Sequence, residues 1–75
     1  MEKLIDAKID KLYKIKGVFD GTPFKIKRRI FELGFTKGQS IKLLRKSMLK
    51  KAYLVEIRGI VLTLRKDIAQ QIEIV

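Results

Sequence analysis

The chain has 75 residues, of which 47% are hydrophobic and one is proline, so residues 1–75 are expected to form one folded domain with a single core. It contains neither cysteine nor histidine, which excludes disulfides, zinc sites, thiol chemistry and histidine-based catalysis. Eighteen Lys and Arg against eight Asp and Glu give a net charge of +10, which indicates an anionic partner or, alternatively, a well-solvated surface that only keeps the protein in solution.

The first predicted elements are a turn and a strand. The first dozen residues are ambiguous between helix and strand. Tyr13 and Ile15 then alternate with Lys14 and Lys16, a pattern typical of a half-buried strand. We therefore predict a short opening turn followed by a strand over about 11–18.

A helix is predicted after the turn at 20–23. Thr22 is expected to cap the first backbone amides, and Pro23 fits the first helical position, where its missing donor costs nothing. The spacing predicts a core face with Ile26, Ile30 and Leu33 and an outer face with Lys25, Arg28, Arg29 and Glu32. Gly34 is expected to end the helix in the left-handed conformation that favours glycine.

Three more strands and a helical turn follow. Gly38 stands third in the turn over 36–39, as a type II turn requires, and a strand is predicted over about 40–46. Segment 53–64 predicts a hairpin with Arg58 and Gly59 as its two-residue loop. In that register Ile57 faces Ile60, Val55 faces Leu62 and Tyr53 faces Leu64, which makes one sheet face apolar.

The chain is predicted to end with a single helical turn over 66–70 and a closing strand over 72–75. The order is thus β-α-β-β-β-turn-β, a mainly β fold with one short helix. Closing such a small sheet protects its edges, which favours a β-barrel of SH3-like type.

Two segments have a distinctive order of residues. Residues 29–38 read RIFELGFTKG and are followed by Ile41, and residues 59–69 read GIVLTLRKDIA, with Ile72 and Ile74 beyond. These segments resemble the FeoA family of small cytoplasmic proteins in bacterial ferrous iron transport. The family pattern runs roughly RLxELGFxxGxxI and then GxxLALRxxEAxxIxV. The resemblance covers nearly the whole chain and implies an SH3-like barrel that assists FeoB, a membrane transporter with a cytoplasmic G-protein domain.

The chain departs from the family pattern at three places. Asp10 stands where a turn glycine is usual, Lys37 stands where proline is common, and residues 47–51 replace a segment that often reads APxGDP. The same barrel also resembles the C-terminal domain of iron- and manganese-dependent repressors, although no helix-turn-helix precedes it in this sequence.

No enzyme, cofactor or resident metal is expected. The eight carboxylates are scattered without a spaced pair for acid-base work, and the serines have no histidine partner. Residues 34–40 lack the spacing GxxxxGK followed by Ser or Thr, so their glycines are interpreted as turn residues, like Gly59. Ferrous iron favours imidazole and carboxylate ligands, and a positive surface repels cations, so a role in iron transport would be exerted through a partner.

Two surfaces are candidates for that partner. One is the helix face with Lys25, Arg28 and Arg29, whose alternative interpretation is a solvated helix exterior. The other is the loop in which Met48 and Leu49 are flanked by cations, and these flanking cations include Lys46, Lys50 and Lys51. Two large apolar side chains there have no evident core to fill, unless one of them folds back over the barrel mouth.

Three phenylalanines, Phe24, Phe31 and Phe35, are interpreted as core residues rather than as platforms for base stacking. The resemblance and the residues together predict a non-catalytic accessory protein that docks on the cytoplasmic part of a FeoB-type transporter. A small RNA-binding barrel and a free-standing domain related to the repressors are the alternatives. The lack of cysteine favours a reducing, cytoplasmic compartment, and the lack of a long apolar run at the start favours a protein with no membrane insertion.

Overall fold

The computed structural model describes residues 2–75. Its longer strands lie where buried and more exposed residues alternate along the chain. In the fourth strand, for example, Tyr53, Val55 and Ile57 are buried and their neighbours are more exposed, the period of two that a sheet imposes. The elements are β1 (Glu2–Lys3), a 3-10 turn (Leu4–Asp6), β2 (Leu12–Val18), α1 (Phe24–Glu32), β3 (Ser40–Lys46), β4 (Ala52–Ile57), β5 (Ile60–Arg65), α2 (Lys66–Ala69) and β6 (Ile72–Ile74).

The strands of the described chain form one sheet in the order β1-β6-β2-β3-β4-β5, and all of its pairs are antiparallel. The predicted mainly β fold class is confirmed, and β1 is a short strand in addition to those predicted. The sheet surrounds one core to which most elements contribute, with fully buried side chains that include Leu4, Ile15, Ile41, Leu43, Val55, Ile57, Ile72 and Ile74.

The β4–β5 hairpin has the predicted register, with Tyr53 opposite Leu64, Val55 opposite Leu62 and Ile57 opposite Ile60. Its two loop residues, Arg58 and Gly59, have φ of 52° and 76°, as the common two-residue hairpin turn requires. The register of the β4–β5 hairpin therefore follows from its two-residue loop.

Gly34 ends α1 as predicted, with φ of 85°. The amide of Gly34 donates to the Phe31 carbonyl at 2.9 Å, and the amide of Phe35 donates to the Ile30 carbonyl at 3.2 Å. The Arg58 guanidinium lies against Gly34, and its Nη2 is 3.5 Å from the Leu33 carbonyl oxygen. The hairpin loop thus places a cation at the negative end of the helix dipole.

The start of α1 differs from the prediction. Thr22 does not cap the helix, and Pro23 occupies the N-cap with extended backbone instead of the first helical position. The Thr22 hydroxyl bonds to the Phe19 carbonyl and lies 3.0 Å from the side-chain oxygen of Gln71. It therefore stabilises the preceding turn and links that turn to the segment before β6, a partner that no local pattern reveals.

The turn before β2 explains one departure from the family pattern. Asp10, at the position where glycine is usual, has φ of 64°, and its amide donates to the Leu43 carbonyl at 2.8 Å. The left-handed conformation is thus required at this position even without glycine. Aspartate adopts it at a lower cost than most residues do.

Candidate partner-binding surfaces

The loop between β3 and β4, residues 46–51, is called the tip loop. Its two apolar side chains lie in solvent, with Met48 97% and Leu49 74% exposed. Neither is buried over the barrel mouth, so the alternative of a folded-back side chain does not describe this structure. The predicted cations Lys50 and Lys51 are exposed beside them, and Lys46 is half-buried at the end of β3.

Ser47 holds the tip loop in one conformation. Its Oγ accepts hydrogen bonds from the amides of Lys51 at 3.0 Å and Ala52 at 3.1 Å, and its own amide donates to the Ala52 carbonyl at 2.9 Å. The Tyr53 hydroxyl donates to the carbonyl of Lys50 at 3.3 Å, and Lys50 adopts φ of 55°. The loop is therefore an ordered hairpin end that presents Met48 and Leu49.

A groove of about 580 Å³ runs beside the tip loop along the outer face of the sheet. Met48 and Leu54 contribute apolar side chains to this groove, and Arg45 and Lys46 contribute cationic ones. The groove is lined by Arg45, Lys46, Ser47, Met48, Ala52, Leu54 and Thr63. Its mixed apolar and cationic lining suits an apolar side chain that is accompanied by acidic groups.

The second surface is the α1 outer face, defined by Phe24, Lys27, Arg28 and Phe31. Phe24 is 76% and Phe31 70% exposed, so the prediction that they pack in the core is wrong, whereas Phe35 is buried as predicted. Ile30 occupies the core side of the same helix. The helical periodicity could have predicted the exposure of both rings, because Phe24 and Phe31 fall opposite the positions of the core-facing residues.

The predicted cations Lys25, Arg28 and Arg29 are exposed along α1, together with Lys27. Arg28 pairs with Glu32, with 3.3 Å between Nε and Oε2, and both side chains are at least half exposed. Such a pair contributes little to stability, and the helix keeps a net positive charge.

The two predicted patches belong to different parts of the fold. The C-terminal end of α1 contacts Arg58, which follows the last residue of β4, whereas the tip loop precedes the first residue of β4. The structure therefore does not merge the helix cations and the tip loop into one site.

A buried carboxylate was not anticipated from the sequence. Glu73 in β6 is only 6% exposed, and Lys16 Nζ lies 3.9 Å from its Oε2, which accepts no hydrogen bond.

Among residues 2–75 no three His, Cys, Asp or Glu side chains are close enough together to hold a metal ion. The sequence contains no imidazole or thiolate, the ligands that transition metals prefer besides clustered carboxylates.

None of the helices within residues 2–75 has the length and apolar character needed to cross a bilayer.

One antiparallel sheet of short strands around a single core, with one helix of nine residues, defines the class of small SH3-like domains. The profile of the FeoA domain matches residues 2–75, and the chain belongs to the FeoA family, whose members are non-catalytic accessory proteins of iron transport. The predicted family is thereby confirmed. No curated protein sequence matches the chain significantly.

Solved structures agree with this assignment. A FeoA-like protein from Clostridium acetobutylicum is 27% identical, with a TM-score of 0.82 over 99% of this chain and 87% of that protein. FeoA from Stenotrophomonas maltophilia, described as an SH3 domain protein and solved with zinc, is 24% identical, with a TM-score of 0.81 over 99% of this chain and 89% of that one. The predicted SH3-like fold is confirmed.

The predicted likeness to metal-dependent repressors is also confirmed. The cadmium-bound repressor ScaR is 27% identical, with a TM-score of 0.83 over 99% of this chain, but the match spans only 35% of the repressor. The shared unit is thus one domain of a longer regulatory protein.

Proposed function

We propose that this protein is a non-catalytic accessory protein of ferrous iron uptake that docks through its tip loop on the cytoplasmic part of a FeoB-type transporter. Membership of the FeoA family supports the link to ferrous iron transport. The observation that supports this docking surface is an ordered loop that holds Met48 and Leu49 largely in solvent.

The energetics favour this loop as the anchor. Exposed apolar side chains lose water when a partner covers them, and residues buried at the centre of an interface contribute most of the binding energy. The hydrogen bonds of Ser47 order the loop before binding, which lowers the entropy cost of association. The adjoining groove provides room for a side chain of the partner.

The charge has a different role in this proposal. A net charge of +10 accelerates encounter with an acidic surface, and salt weakens that effect. Lys46, Lys50 and Lys51 surround the anchor and favour acidic residues on the partner. Lys25, Arg28 and Arg29 contribute to the long-range attraction without lying at the tip loop.

The test is the affinity of the intact protein for the purified cytoplasmic domain of the transporter. The double variant Met48→Ser, Leu49→Ser is expected to weaken binding by about 2 kcal/mol, which is about 30-fold in Kd. The matched control is Ile60→Ser, Val61→Ser, since each of these β5 residues is 52% exposed and neither belongs to the tip loop. An unchanged Kd for a folded tip-loop variant would overturn the assignment.

Charge reversal at Lys25, Arg28 and Arg29 tests the second patch. We expect a slower association rate with a weaker dependence on salt, and a dissociation rate close to that of the unmodified protein. If binding depends on these three residues and not on Met48 and Leu49, the docking surface is α1.

A further inference from the structure

We infer that the α1 outer face binds the surface of an anionic phospholipid bilayer. The inference does not depend on docking to the transporter, because it concerns a different part of the fold and a different ligand. It rests on two exposed phenylalanines and on the cations that the helix places beside them.

The first step is the position of the rings. Phe24 and Phe31 lie two turns apart on α1, on the side opposite Ile30, and at least two-thirds of each is in water. Each phenylalanine ring presents a large apolar area to water. Covering both rings would therefore lower the free energy of the protein. The pair forms an apolar ridge on the convex surface of the helix.

The second step is the charge around that ridge. Lys27 and Arg28 follow Phe24 by three and four residues and therefore share its face. Lys25 and Arg29 lie farther round the exposed surface, and the single acid of the helix, Glu32, is paired with Arg28. Apolar residues beside Lys and Arg on a helix that lies flat are the pattern of interfacial membrane binding.

The third step is the choice of ligand. The grooves beside the rings are open and shallow, one of about 400 Å³ among Phe24, Lys27, Arg28 and Phe31 and another of about 320 Å³ that extends from Phe31 towards Val18 and Phe35. A protein partner needs a pocket that matches the protruding rings. A bilayer interface adapts to them, and its phosphates meet the cations on either side of the ridge. The net charge of +10 matches an anionic surface over the whole molecule.

The binding is expected to be weak and reversible. Only two rings enter the interface, and α1 is nine residues long. Such a helix holds the protein at the surface without spanning the bilayer.

The experiment is sedimentation of the intact protein with vesicles of phosphatidylcholine alone or mixed with an equal part of phosphatidylglycerol. We expect binding to the mixed vesicles, little binding to the neutral ones, and loss of binding as salt is raised. Phe24→Ser, Phe31→Ser is expected to lower the partition coefficient by at least about tenfold. The control Ile60→Ser, Val61→Ser removes exposed apolar area elsewhere and is expected to leave it within about twofold.

A second readout follows insertion of the rings directly. The chain contains no tryptophan, so Phe31→Trp introduces a single reporter. We expect its fluorescence to shift to shorter wavelength with the mixed vesicles only, and an unshifted spectrum with those vesicles would show that the ring at this position does not enter the interface.

Three outcomes would overturn the inference. They are no binding to the mixed vesicles, equal loss in the phenylalanine and control variants, or tighter binding of the face to single-stranded RNA or to the transporter domain than to lipid. Because the docking assay contains no lipid, the inference and the proposed docking can fail independently.

Discussion

The tip loop and the α1 outer face each present two exposed apolar side chains among cations, but different interactions hold them in place. The tip loop depends on hydrogen bonds between residues close in sequence, most of which involve Ser47. The α1 outer face depends on residues distant in sequence, because α1 packs on the core through Ile30 and contacts Arg58 at its end. A local change can therefore alter the tip loop alone, whereas the position of α1 responds to changes elsewhere.

The largest expected effect tests the long-range support of α1. Gly34→Val is expected to lower the free energy of unfolding by about 1–3 kcal/mol, mainly because a β-branched residue is strained at φ of 85°. The Arg58 guanidinium, the flexible end of an exposed side chain, also has to move away from the new Cβ. Urea unfolding provides the measurement.

Gly38→Val is the matched control for that prediction. Gly38 has a similar φ of 90°, but a Cβ there meets nothing within 4 Å. We expect Gly34→Val to cost only slightly more than Gly38→Val, because moving the Arg58 guanidinium aside also breaks its exposed 3.5 Å contact with the Leu33 carbonyl. Equal costs would show that Arg58 moves aside without penalty and does not support the helix.

The next effect tests the local support of the tip loop. Ser47→Ala is expected to cost about 1 kcal/mol, since the amides of Lys51 and Ala52 lose their acceptor and turn to water. Hydrogen exchange at these two amides should accelerate, while exchange in α1 stays unchanged. Ser40→Ala is the control, because Ser40 is an exposed serine in β3, and slow exchange in the Ser47 variant would contradict the assigned role.

A smaller effect of opposite sign is expected at the turn before β2. Asp10→Gly should raise the free energy of unfolding by a few tenths of a kcal/mol, because glycine adopts φ of 64° without strain but loses more chain entropy on folding. Thermal unfolding at neutral pH measures it, and a clear destabilisation would show that the Asp10 carboxylate stabilises the turn. Neither surface should change its binding.

The smallest expected effect is the binding of metal ions by the protein. Calorimetric titration with Fe²⁺ under anaerobic conditions, or with Zn²⁺, is expected to reveal no stoichiometric site of sub-micromolar affinity. The reason is the lack of His and Cys in the sequence together with a net charge of +10. A tight site would contradict both the donor-set argument and an indirect role in iron transport.

The sequence was sufficient for the elements whose contacts are local. The β4–β5 register follows from alternating apolar residues and a two-residue loop, and Gly34 follows from the end of the helical pattern. The short strand β1 was missed because Glu2 and Lys3 show no apolar alternation and pair with a strand from the other end of the chain. Local sequence contains no signal for such a partner.

The exposure of the two proposed binding surfaces was predictable in part. The cations of α1 and the exposed tip loop follow from charge and from the lack of a core position for Met48 and Leu49. Phe24 and Phe31 were misassigned because hydrophobicity was taken as burial, although a helix on the surface of a small core can bury only one side. The groove beside Met48 depends on residues of β3, β4 and β5 that only the folded sheet brings together.

The place of β6 in the sheet has a consequence for how the protein folds. This strand lies between β1 and β2, so residues near the two ends of the chain must meet before the sheet is complete. Bringing these distant segments together costs conformational entropy before the strand pairs can form and stabilise the sheet. Folding is therefore expected to be slower than that of a helical protein of the same size. The β3–β4–β5 meander can assemble earlier from neighbouring segments. We therefore expect the pairing of Ile72–Ile74 with its two neighbours to be a late step in folding. Removing those residues would leave β1 and one edge of β2 without partners.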